Sequence, residues 1–122
     1  VAEGFLPGGA GTALDALLAA YPWIKLHIGA PGAAGTSNPA TETTRQQASW
    51  NSTGSDGIAE TSADLDWTTV AGSEDYTHCT GWSAVSGGTV GWSGTITANA
   101  VTGGDDFSIA AGDLIVSVTL AS

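Results

Sequence analysis

The feature that most constrains this chain is its rhythm: short alternating stretches, each closed by a Gly-rich turn, spaced roughly ten residues apart. The last is the clearest, with Leu114, Val116, Val118 and Leu120 alternating with Ile115, Ser117 and Thr119. A period of two sends successive side chains to opposite faces, the pattern of a strand buried on one side. In the same way Ile24, Leu26 and Ile28 point one way and Trp23, Lys25 and His27 the other. Thr43–Trp50, Ile58–Thr61, Leu65–Val70 and Phe107–Ile109 read as further strands. Tyr76–Ala84 sets Tyr76, His78 and Trp82 on one face and Cys79 and Gly81 on the other, and Val90, Trp92, Gly94 and Ile96 share a face of the next strand. Turn chemistry separates them: a long Gly- and Pro-rich loop over 29–39, a turn over 51–57, Ser86-Gly87-Gly88, and Gly103-Gly104-Asp105-Asp106.

One helix is expected, capped by Thr12, with Leu14, Leu17 and Leu18 on one face and Pro22 as its stop. Nothing alternates strand with helix, so a doubly wound sheet is excluded. The expected fold is all-β: an antiparallel, jelly-roll-like β-sandwich of about eight strands with one short N-terminal helix. At 122 residues the chain has the length of one domain. Residues 1–11 read as a Gly-rich N-terminal arm and 12–122 as a single sandwich domain.

Charge narrows the possible partners. Twelve Asp and Glu face two basic residues, Lys25 and Arg45, for a net charge of −10. Phosphate backbones are held by clustered Lys and Arg, so nucleic acid is not an expected partner. The same charge argues against an anionic membrane surface, and no apolar run is long enough to span a bilayer. The N-terminal Val1-Ala2-Glu3-Gly4 lacks the basic-then-apolar pattern of a secretion signal. Charged residues make up only 11% of the chain, against an ordinary share of about 25%. A neutral surface of small residues suits flat contacts with other proteins, although an ordinary acidic domain has the same composition.

Catalytic chemistry finds little support. Cys79, the one cysteine, stands beside His78, but neighbouring strand residues face opposite ways and cannot pair as nucleophile and base. A lone cysteine with no basic group nearby reads as a small buried apolar residue. The two histidines are too far apart in sequence to form a local zinc motif. The Asp-rich turn over 103–106 lacks the spaced oxygen series of a calcium loop and is better explained as a turn. Asp64 and Asp66 read as the solvated face of a strand rather than a glycosidase pair. Asn51-Ser52-Thr53 fits a glycosylation acceptor by pattern and reads as a polar turn. Five tryptophans admit carbohydrate binding, which would leave two or three rings coplanar and exposed, but a sandwich core also uses large aromatics. No enzyme activity, cofactor or metal is expected.

Several stretches together resemble a family of small virion structural proteins of long-tailed bacteriophages, of minor-tail or tail-fibre-like type with possible capsid decoration members. They begin with Ala13-Leu14-Asp15-Ala16-Leu17. Leu26-His27-Ile28-Gly29-Ala30-Pro31-Gly32-Ala33-Ala34-Gly35-Thr36-Ser37-Asn38 follows, and then Thr44-Arg45-Gln46. The second half adds Tyr76-Thr77-His78, Trp82-Ser83-Ala84, Gly87-Gly88, Trp92-Ser93-Gly94, and the run from Phe107 to Gly112-Asp113-Leu114. One departure is Cys79-Thr80, where the family carries an aromatic after the histidine.

The resemblance implies a protein of the virion that works by packing against copies of itself and other virion proteins. Small size, with no heptads and no repeated shaft motif, points to capsid decoration: a cement protein on the outer capsid surface. Its partners would be the major capsid protein and copies of itself, as a homotrimer bound by multivalent contact. The alternative is a minor tail or tail-fibre component that contacts tail proteins and binds host surface glycans. Phe5, Leu6, Lys25, His27, Pro31 and Arg45 are the candidate interface residues, with the 29–39 loop as contact surface and the arm as a clamp on a neighbour's sheet edge.

Overall fold

The computed structural model describes residues 4–51, 57–118 and 120. Residues 1–3 of the expected arm, 52–56 of the expected 51–57 turn, and residues 119, 121 and 122 lie outside that set. Among the described residues one helix is followed by eight strands in this order: α1 (Pro7–Ala20), β1 (Trp23–His27), β2 (Gln46–Gln47), β3 (Ile58–Glu60), β4 (Leu65–Trp67), β5 (Glu74–Trp82), β6 (Val90–Val101), β7 (Phe107–Ile109) and β8 (Ile115–Ser117). The chain is thus mostly β with one N-terminal helix, as the alternation predicts. The described strands form three antiparallel sheets rather than two: β2-β1-β5-β6, β3-β8 and β4-β7.

The core lies beneath the four-stranded sheet. Ile24, Leu26 and Cys79 on its inner face cluster with Leu65, Trp67, Phe107 and Ile109 from β4 and β7. Fully burying an aliphatic side chain of this size stabilises the fold by about 1.5–3 kcal/mol relative to exposure. The Phe107 ring meets Tyr76 edge-on at 4.9 Å and lies tilted against Trp67 at 5.8 Å between centroids. A second cluster joins Leu14 and Leu18 of the helix to Ala59 of β3, with Val116 and Val118 packed against it. The helix therefore covers the β3–β8 pair, and its apolar face is the one read from Leu14, Leu17 and Leu18.

Three expectations need correction. First, the helix begins at Pro7, five residues before Thr12. Leu6 is the N-cap in extended conformation and proline takes the first helical position, where its missing N–H costs nothing. The Thr12 hydroxyl instead bonds back to the Gly8 carbonyl at 3.2 Å. Second, Tyr76 does not share a face with His78. The β5–β6 register shifts between these residues, and Tyr76 joins Cys79 in the core, since an irregular ladder need not keep the period of two. Third, only Gln46–Gln47 of the expected Thr43–Trp50 strand is paired, against Trp23 and Ile24. Trp50 makes a single bridge to Thr61.

Gly81 illustrates why glycine sits mid-strand here. The Trp92 indole lies directly over it, and a β-carbon at that position would collide with the ring. That ring donates from Nε1 to the Tyr21 carbonyl at 3.1 Å, tying β6 to the end of the helix.

Candidate interaction face

The outer face of the four-stranded sheet gathers the chain's basic side chains. Register places Trp23 opposite Trp82, Lys25 opposite Thr80, and His27 opposite His78. Arg45 enters from just before β2. The chain's two fixed cations and two histidines thus lie on, or at the edge of, one sheet face. Burial holds the Lys25 ammonium below its usual pKa, and the Arg45 guanidinium nearby lowers it further. Burial also lowers the pKa of Arg45.

Beneath this surface runs a chain of hydrogen bonds whose direction can be worked out. The Trp82 indole Nε1 donates to Thr80 Oγ1 at 2.7 Å. His27 Nε2 lies 2.9 Å from the same hydroxyl, and His27 Nδ1 lies 2.9 Å from the Ser37 carbonyl. A carbonyl only accepts, so Nδ1 carries the proton. Nε2 is then the acceptor for the Thr80 hydroxyl, whose own lone pair takes the indole N–H. Both His27 and Thr80 are fully buried. Desolvation is the main force holding His27 below the ordinary imidazole pKa, with Lys25 and His78 adding to it and carbonyl hydrogen bonds opposing it.

Arg45 closes the upper layer. Its guanidinium lies over the Trp82 ring at 4.2 Å and donates to the carbonyls of Ala84 and Gly87 at 2.8 and 2.7 Å. It therefore clamps the turn between β5 and β6 while keeping its charge on the outer face. The sequence offers Arg45 as a candidate interface residue, and the hydrogen bonds it makes here go to backbone carbonyls of its own chain.

The other expected interface residues divide. Phe5 and Leu6 are 46% and 68% exposed and remain open to a partner. Phe5 bridges Leu120 in parallel, so the arm lies along its own chain. Lys25 is half-buried. His27 and Pro31 are buried and cannot present a surface. The reason is the 29–39 loop, which folds back on β1 instead of standing away from it. Ile28 N–H donates to the Asn38 carbonyl at 3.0 Å and Ser37 N–H to the Pro31 carbonyl at 2.9 Å. Gly35, at φ +71, packs against Val90. The loop's exposed positions are Gly32 to Ala34 at its tip, with Ala30 and Thr36 to Pro39 on either side.

Trp23, His78 and Trp82, all half-buried, complete the accessible face and were not singled out as interface residues in the sequence, whereas Thr80 shares that side of the sheet but is fully buried. Their period-two spacing held the signal, but only the pairing of β1 with β5 brings them together. Trp67 is buried, Trp50 and Trp92 meet at 75°, and Trp82 is covered by Arg45. An open groove of about 350 Å³ lies elsewhere, lined by Asp15, Leu18, Pro22, Gln47, Trp50 and Asn51. Cys79 is buried, and desolvation pushes its thiol up to about 12, so it is inert as a nucleophile. Among the described residues no group of three or more His, Cys, Asp or Glu is placed to hold a metal ion.

Residues 11–117 match the family described as podophage GP4 fiber I protein gp80. The chain belongs to this family. The match takes in every strand, from β1 to β8, and most of the helix. No curated protein matches the chain in sequence. It is a phage structural protein, and its place is the virion. The resemblance seen in the sequence pointed to long-tailed phages, whereas this family is named for a podophage; a virion structural protein is common to both.

Proposed function

We propose that this protein is a non-enzymatic component of a podophage tail fibre, contributing a rigid β block that packs against copies of itself and neighbouring tail proteins. The observation that carries this reading is the family match over residues 11–117, whose name is that of a fibre protein. It favours the tail over the outer capsid surface, so the capsid-cement reading drawn from size and composition gives way. The fold suits a fibre module. Its core is continuous between the four-stranded sheet and β4–β7, and most residues of the candidate face stand on the paired strands β1 and β5. Weak contacts repeated along a homotrimeric fibre gain strength through high effective concentration.

Labelling intact virions with antibody to this protein, followed by electron microscopy, tests the proposal. Gold confined to the tail or its appendages is the expected result. Gold distributed over the head would restore the decoration reading and remove this one.

A further inference from the structure

We infer that the outer face of the β2-β1-β5-β6 sheet docks on the carboxylate-bearing β4–β7 face of a second copy of the chain, head to tail. The basic face is Lys25, Arg45 and His78 set around Trp23 and Trp82. On β4 and β7 the exposed positions are Asp66 and its cross-strand partner Ser108, with Asp64, Asp105 and Asp106 exposed in the adjoining segments. The inner faces of both sheets meet in one core cluster, so these outer faces look away from each other.

That arrangement fixes the type of contact. A two-fold contact through either face would set like charges together, whereas a heterologous contact sets cations against carboxylates. Repeated, such a contact closes into a ring or runs on as a filament, which is what a fibre module requires. Arg and Trp are also the residue types that most often anchor interfaces, and here both half-buried indoles flank the cations. Every copy carries a net charge of −10, so two copies repel overall and a contact between them gains by setting cations against carboxylates. The inference takes only its biological setting from the fibre reading. It is tested on the isolated protein, so its failure is separate from a failure to find the protein on the tail.

Sedimentation velocity over a concentration series, at about 0.1 M and then about 1 M salt, is the measurement, since the screening length falls from about 10 Å to about 3 Å between them. Association at the lower salt, weakened about tenfold or more at the higher, is expected. Lys25→Glu and Asp66→Lys should each abolish it. An equimolar mixture of the two variants should regain association, because the intact basic face of one meets the intact acidic face of the other. Ser93→Glu, at an exposed position on β6 of the same face, replaces Lys25→Glu if circular dichroism shows that variant unfolded. Wild-type protein that stays monomeric at 0.1 M overturns the inference, as does association untouched by these substitutions. A monomer that binds an anionic polysaccharide through Lys25 overturns it equally.

Discussion

His27 shows most clearly what a single residue does in this fold. Period-two spacing placed it correctly on the outer side of β1 with Lys25. What the spacing could not show is that the chain returns ten residues later and lays the Ser37 carbonyl on its ring. The imidazole is therefore a buried, neutral strut. Its folded pKa is below the ordinary 6.5, so the unfolded chain takes up a proton first as pH falls. The stability it supports is present above about pH 6.5 and is lost as pH drops below that value. His27→Gln should flatten this part of the profile, measured as the difference in urea midpoint between about pH 7.5 and about pH 5. His27→Leu takes the donor from the Ser37 carbonyl and the acceptor from the Thr80 O–H, and should cost about 1–3 kcal/mol at neutral pH. Cys79 was legible as a buried apolar residue because a lone thiol between core positions has little else to do. Tyr76 was misplaced because a shift in register leaves no mark on local alternation.

Elements were legible in their type and less so in their limits. The helix's apolar face followed from three leucines, but its start did not, because Gly8, Gly9 and Gly11 read as arm. Proline at the first helical position and the close seat of Ala10 near Gly57 carry the helix through them. Gly8 has open space where a β-carbon would stand. Gly8→Ala should therefore stabilise the protein by about 0.5–1 kcal/mol, read from its unfolding midpoint. Removing residues 1–6 tests the arm alone and should leave a folded domain, whereas removal through Gly11 also takes the buried Ala10 and should lower the melting temperature sharply. The β5–β6 turn depends on a residue far from it in sequence. Arg45→Lys cannot bridge both carbonyls while stacking on Trp82, so hydrogen exchange between residues 83 and 89 should quicken. No pattern within the turn itself signals that clamp.

At the scale of the whole molecule, the all-β antiparallel class was readable because alternation and turn residues agree along the chain. The strand order was not, since β1 pairs with β5 and β3 with β8 across long stretches of intervening sequence. Nor was the division of charge. Composition gave the acidic excess, but only the pairing of strands collects the basic residues on one face. Size and composition pointed to the capsid, whereas the family match favours the fibre. Copy number per particle separates those addresses most directly. Quantitative mass spectrometry of purified virions should find this protein far below the major capsid protein, in a ratio shared with other tail components. A near-stoichiometric ratio to the major capsid protein would place it on the head lattice and contradict the account.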